Sequence, residues 1–167
     1  MLLTGDWLGR AEEICMQCGG HCRVDAHPPV SRSCSGRPAP AVVSEDLFGE
    51  AGYKRLKVQE NGACILSKNG TCVIHTIKLE TCRAGPFTSD VKGDIIEIYL
   101  KYSRTCPLVT LLKETPQAYQ LQYDLAEKSI TCRVRNLTQD EIDPACRIDE
   151  PEPEKVSKIP RRSPEIS

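Results

Sequence analysis

The sequence predicts a small α+β domain that needs more than an apolar core to hold it, and three observations point there. Hydrophobic residues make up 40% of 167 positions but aromatics only 5%, with one Trp and two Phe, so the core is thin for the length. Ten cysteines accompany that thin core, well above ordinary usage. Short stretches of helical and of alternating apolar periodicity follow one another without any internal repeat. The expected organisation is a cysteine-rich, metal-stabilised domain of short helices and β-hairpins over 1–148, followed by a disordered charged tail over 149–167. Twenty-two basic against 23 acidic residues leave a formal net charge of −1, which excludes an electrostatic footprint for nucleic acid or anionic lipid.

Each element has its own signal. Trp7, Leu8 and Ile14 recur at roughly helical spacing and predict a helix over 1–14 that leads into the first cysteines. Residues 15–40 combine cysteines, glycines and prolines, a loop that cannot fold on apolar burial alone. Ser44-Glu45-Asp46-Leu47 has the form of an N-cap and predicts a helix to about Leu56, against the helix-weakening Gly49 and Gly52. Two apolar runs around Asn69-Gly70 predict a hairpin. The β-branched stretch 94–100 predicts a strand. Tyr119-Gln120-Leu121-Gln122-Tyr123 and Ile130-Thr131-Cys132-Arg133-Val134 alternate, and predict a second hairpin with one face in water. From Asp149 the chain is rich in proline and charge and poor in apolar residues, the composition of a disordered tail.

The N-terminal stretch has neither a basic n-region nor an apolar segment of signal length. The longest charge-free apolar run, over 106–112, is far too short to span a bilayer. A cytoplasmic protein without membrane insertion is expected, in a compartment where thiols stay reduced and a cysteine array means metal more often than disulfides. Asn69-Gly70-Thr71 and Asn136-Leu137-Thr138 match the glycosylation triplet, which carries little weight without a secretory signal.

The cysteines carry the chemistry. Cys15-x2-Cys18-x3-Cys22 opens the array, with Gly19 and Gly20 letting the backbone wrap closely around a soft thiolate centre. Cys64-x7-Cys72-x9-Cys82-Arg83 follows, and then Cys106-Pro107. The spacing is neither the two matched pairs of a zinc finger nor the tight four-cysteine ferredoxin run. The segments CMQCGGHC, GACILSKNGTCVIHTIKLETCR and TCP resemble the YkgJ-type cysteine-cluster proteins, a family described as zinc- or iron-chelating. The resemblance covers roughly residues 15–107. It implies metal contacts at Cys15, Cys18, Cys22, Cys64, Cys72, Cys82 and Cys106. Where that family usually carries a Cys-Cys pair this chain has His21-Cys22, so His21 is either a substitute nitrogen ligand or no ligand. Arg83 is expected to contact the bound centre by hydrogen bonding a sulfur, or else to pair with a carboxylate. Cys34, Cys132 and Cys146 lie outside the pattern and read equally as packed hydrophobes or as further ligands. His27 and His75 read as ordinary surface or packing residues.

Seven cysteines exceed one tetrahedral zinc site, and an all-thiolate set favours a [4Fe–4S] cluster over zinc. No nucleophile elbow, phosphate loop, dinucleotide fingerprint or His-Glu-x-x-His motif is present, and Glu12-Glu13 and Asp140-Glu141 read as solvated faces, so the chain leans away from being an enzyme. The expected function is a redox- or oxygen-responsive accessory that docks onto a larger protein complex. A metal-assisted methyl-transfer component, by resemblance to cluster proteins described as flagellin lysine methylases, and a structural-zinc interaction module are the alternatives. One geometric expectation is specific. A three-residue loop, Lys68-Asn69-Gly70, would pair Ser67 with Thr71 and bring Cys64 and Cys72 to one face of the hairpin, serving one site, whereas a two-residue loop would separate them.

Overall fold

The computed structural model describes residues 6–18, 48–50, 54–69, 71–73, 80–146 and 153–162. Helices and antiparallel sheets are both present, as the α+β expectation required. In chain order the elements are α1 (Asp6–Gln17), β1 (Phe48–Glu50), β2 (Lys54–Leu56), β3 (Ser67–Lys68), β4 (Thr71–Cys72), α2 (Glu80–Ala84), β5 (Phe87–Lys92), β6 (Ile95–Leu100), α3 (Leu108–Glu114), α4 (Pro116–Asn136), α5 (Gln139–Cys146) and β7 (Glu154–Pro160).

The core is built on β6. Its run of β-branched residues pairs with β5 on one edge and β7 on the other, both antiparallel, in the order β5-β6-β7. Gly93, at φ 61°, opens the two-residue loop that joins Lys92 to Ile95, the left-handed first position such a tight hairpin needs. Ile96, Ile98 and Leu100 alternate onto one face and are fully buried with Phe87 of β5 and Val109 and Leu112 of α3. Ala118, Ala126, Ile130 and Val134 of α4 close that layer from above, joined by Leu137 and Ile142. Tyr119 and Tyr123 stand edge-on to Phe87, at ring separations of 5.5 and 5.6 Å. Two polar ties cross the layer: the Arg133 guanidinium donates to Ser89 Oγ at 2.6 Å, and the Tyr123 hydroxyl donates to Ser157 Oγ at 2.6 Å.

Three sequence expectations are corrected here. Residues 118–137 form the single helix α4 rather than a hairpin. Ala118, Ala126, Ile130 and Val134 recur at multiples of four, so the alternation within each short run is a fragment of a longer helical period. Pro116 opens α4 at its first turn, where its missing N–H costs nothing. Within the helix expected over 44–56, the described Phe48–Glu50 and Lys54–Leu56 instead pair as the ribbon β1–β2, with Phe48 opposite Leu56, consistent with two helix-weakening glycines and a β-forming Phe48. The tail expected to be disordered from Asp149 supplies β7, whose Val156 and Ile159 pack against the core. Its composition looked polar because only those two residues face inward, while Lys155 and Lys158 face out.

The helix expected over 1–14 is present from Asp6, the first described residue, and runs on to Gln17, and the strand expected over 94–100 is β6. Asp140-Glu141, read as a solvated pair, includes a helix cap. The Thr138 amide donates to the Glu141 carboxylate at 2.8 Å and its hydroxyl at 3.0 Å, fixing the start of α5.

The outer face of the sheet is polar. Glu97 is nonetheless buried there, its carboxylate taking Lys155 at 2.7 Å and Lys92 at 2.9 Å, the Tyr99 hydroxyl at 2.6 Å, with Lys158 at 3.7 Å. These donors, Lys155 first, hold the Glu97 carboxyl well below the usual carboxylate range.

Two outcomes follow from this packing. A chain ending at residue 152 loses β7 and with it the cover of Val156 and Ile159; the urea midpoint is expected to fall by the equivalent of about 3 kcal/mol. Because the folded Glu97 carboxyl lies below its unfolded value, its contribution is fully present above about pH 4.3 and is lost as pH falls below that. Urea unfolding of the wild type is therefore expected to weaken from pH 6 to pH 3, with a shallower decline in Glu97→Gln.

Candidate functional site

The cysteines sit at the ends of elements. On α1 the half-buried residues Trp7, Ala11, Ile14, Cys15 and Cys18 share one helical stripe, while Gly9, Arg10, Glu13 and Gln17 are exposed. Cys15 and Cys18, one turn apart, therefore lie on the face that carries Trp7 to the core. The Cys18 amide still donates to the Ile14 carbonyl at 2.9 Å, so the second cysteine is held by the last helical turn. That helix packs against α3, and Cys106 stands half-buried one residue before the Pro107 that caps α3.

Cys64 is buried. It pairs across a single antiparallel bridge with Val58, and its carbonyl then accepts from the Ser67 amide at 2.8 Å, closing a turn over Ile65-Leu66. The hairpin beyond has Ser67 opposite Cys72 and Lys68 opposite Thr71, a two-residue register with Asn69 at φ 50°. The three-residue loop expected for this hairpin is thus replaced by the tighter one, since Asn69 accepts the left-handed conformation that a two-residue loop demands of its first position. The turn over Ile65-Leu66 also takes Cys64 off the ladder, so Cys64 and Cys72 belong to different pairings. Cys82 is exposed on α2, followed by exposed Arg83.

Two glutamines that no spacing rule marks hold these loops. Gln59 donates its amide to the carbonyls of Cys64, at 2.9 Å, and Ser67, at 2.7 Å. Gln122, from the middle of α4, donates to the carbonyls of Arg83, at 3.0 Å, and Gly85, at 2.7 Å. Each amide thereby spans a turn that begins or ends beside an expected ligand. Gln122 was part of the supposed hairpin in the sequence, and only the helical reading aims it at α2.

Among the described residues, no three His, Cys, Asp or Glu side chains stand together closely enough to hold one ion. Cys15 and Cys18 are brought onto one face; Cys72 lies on β4 and Cys82 on α2, whereas Cys64 and Cys106 lie in the connections that precede β3 and α3. Cys22, His21, Cys34, His27 and His75 lie outside the described residues, as does the side chain of Cys146. The six described cysteines of the expected ligand set are thiols rather than halves of disulfides. Cys132 is different: it is buried on α4 and disulfide-bonded, so it is neither a packed thiol nor a ligand in this structure.

No family model matches the chain, and no curated protein or solved structure matches it. No helix among the described residues is long and apolar enough to cross a membrane.

The double clamp of Gln59 gives a distinct pH test. Gln59→Glu presents two acceptor oxygens to two carbonyls at neutral pH. It is expected to cost about 1–3 kcal/mol at pH 7 and less at pH 4, where the protonated acid donates one bond. Urea unfolding of both chains at each pH reads the difference.

Proposed function

We propose that this chain binds a thiolate-ligated metal centre, a [4Fe–4S] cluster in preference to zinc, and acts as a redox- or oxygen-responsive accessory to a larger protein complex. One observation carries the reading. The described cysteines divide along the line drawn by the sequence pattern: Cys15, Cys18, Cys64, Cys72, Cys82 and Cys106 are thiols, and the disulfide-bonded Cys132 is outside the pattern. A set kept as thiols supplies the deprotonated soft donors that iron–sulfur clusters and zinc require, and the scarcity of histidine leans the choice toward iron.

Cys15, Cys18 and Cys22 would hold one centre, with Cys64, Cys72, Cys82 and Cys106 as the remaining donors and Arg83 as a hydrogen-bond donor to a sulfur. The separate pairings of Cys64 and Cys72 favour two centres over one. The bound group would supply electron storage or, as zinc, cross-linking; the chain supplies donors on elements fixed by α1, α2 and α3. The thiol set suits the cytoplasm, where cysteines stay reduced, whereas the disulfide at Cys132 suits an oxidising compartment.

Protein purified without oxygen is expected to be brown, with a broad band near about 400 nm from thiolate-to-iron charge transfer. Iron and acid-labile sulfide should be present in comparable amounts. Colourless protein containing zinc alone would assign a structural-zinc module, and protein with no metal would reject the reading. Cys15→Ser and Cys18→Ser are each expected to lose the metal of one centre and to lower thermal stability, since metal binding at such sites is also folding energy. Full metal content in both variants would remove these residues from the ligand set.

A further inference from the structure

The chain contains two Asn-Gly pairs, Asn61-Gly62 and Asn69-Gly70, and the structure treats them in opposite ways. Both asparagines are exposed, and both lie in tight turns of the segment that carries Cys64 and Cys72. In the first turn the reacting groups are committed. The Ala63 amide donates to Asn61 Oδ1 at 3.0 Å, and the Gly62 amide donates to the Gln59 carbonyl at 2.9 Å. The Gln59 amide closes the turn on the Ala63 carbonyl at 2.7 Å. The second asparagine, Asn69, stands at the tip of the β3–β4 hairpin at φ 50°, between exposed Lys68 and the turn to exposed Thr71. Among the described residues no group holds its side-chain amide. Only two residue pairs, Ser67 with Cys72 and Lys68 with Thr71, close the ladder beneath it.

We infer that Asn69 is a site of spontaneous, backbone-assisted deamidation, and that Asn61 is protected from the same reaction. The chemistry needs only this chain and water. The nitrogen of Gly70 attacks Asn69 Cγ. A C–N bond forms there, the Cγ–Nδ2 bond breaks, and the proton of the attacking amide departs with Nδ2 as ammonia. Water then opens the cyclic imide. Addition at Cγ gives aspartate; addition at the main-chain carbonyl carbon gives isoaspartate, in which the chain runs through Cβ and Cγ. Glycine after the asparagine favours ring closure because no Cβ crowds the attacking nitrogen. The side chain must also swing its carbonyl carbon onto that nitrogen, a near-attack geometry that any fixed hydrogen bond opposes. At Asn61 two such bonds must break first, one at Oδ1 and one at the Gly62 amide. At Asn69 the side chain turns in water.

The two products differ in what they do to the hairpin. Aspartate tolerates the left-handed conformation much as asparagine does, so it keeps the tight loop and adds a negative charge. Isoaspartate lengthens the main chain by one methylene inside that loop, and so short a ladder cannot then hold Ser67 against Cys72. The modification therefore displaces Cys72, whether or not its thiol binds metal.

The folded full chain is held in mildly alkaline buffer, sampled over days and digested. Peptide masses report amide loss at each asparagine, and electron-transfer fragmentation separates isoaspartate from aspartate. Asn69 is expected to react about tenfold faster than Asn61 or more, the effect of two net hydrogen bonds on a barrier. In concentrated urea the turn that protects Asn61 is lost and the two rates should converge. Asn69→Gln should remove the product at that position and leave the rate at Asn61 unchanged. The Val73 amide, which donates to the Leu66 carbonyl at 2.9 Å in the native hairpin, should exchange its hydrogen faster in the isoaspartyl fraction. Three results would overturn the assignment of the site: no amide loss at Asn69 in the folded chain, equal rates at Asn61 and Asn69 in the folded chain, or a preference for Asn69 that persists undiminished in urea. Unchanged exchange at Val73 in the isoaspartyl fraction would overturn the displacement of Cys72.

Discussion

Strand β6 is the central strand of its sheet, with Ile96, Glu97, Ile98 and Leu100 buried, and much of the described structure is arranged around that constraint. Ile96, Ile98 and Leu100 on one face require an apolar layer, which α3 and α4 provide; Glu97 on the other requires compensating charge, which lysines from both neighbouring strands provide. A central strand with so many buried residues also needs its two edges paired, because an unpaired buried amide costs about as much as a lost hydrogen bond. β5 satisfies one edge through a tight hairpin. The other edge is paired by β7, the last described element, so the sheet is completed only by residues far away in sequence.

The cysteines stand in a graded relation to this scaffold. Cys82 and Cys106 are attached directly to it, through Gln122 and the Tyr102 carbonyl that accepts from the Cys106 amide at 2.9 Å. Cys15 and Cys18 reach it through the packing of α1 on α3. Cys64 and Cys72 belong to a smaller unit away from β6, where Leu56, Cys64 and Leu66 are buried and Gln59 adds its hydrogen bonds to two carbonyls. Attachment to β6 thus grows less direct from one cysteine to the next, and local hydrogen bonding supplements apolar burial where the elements are short.

Legibility in the sequence followed the same gradient. β6 was evident because β-branched residues filled it from end to end, and α1 because its apolar spacing was uncontested. The helix α4 was missed because five-residue windows at 119–123 and 130–134 alternate, and only the interval of four from Ala118 to Val134 shows the longer period. β7 was hidden because an edge strand with one wet face can be mostly Lys, Glu and Pro. The positions of the expected ligands were readable as spacing, but the register at Asn69 was not. Two loop lengths fit the same residues, and backbone conformation at one asparagine decided between them. Gln59 and Gln122 carried no signal at all, since an amide that clamps two carbonyls leaves no pattern along the chain.

The separation of Cys132 from the other described cysteines sets a practical limit on handling the protein. Strong reductants that preserve thiols open a disulfide, while air that preserves a disulfide oxidises thiols and bleaches iron–sulfur centres. No single buffer maintains both halves of the molecule by chemistry alone. A preparation in which α4 keeps its covalent tie while α1 keeps its sulfhydryls depends on both sulfurs of that disulfide being shielded from exchange, and Cys132, buried on α4, supplies its own half of the shield.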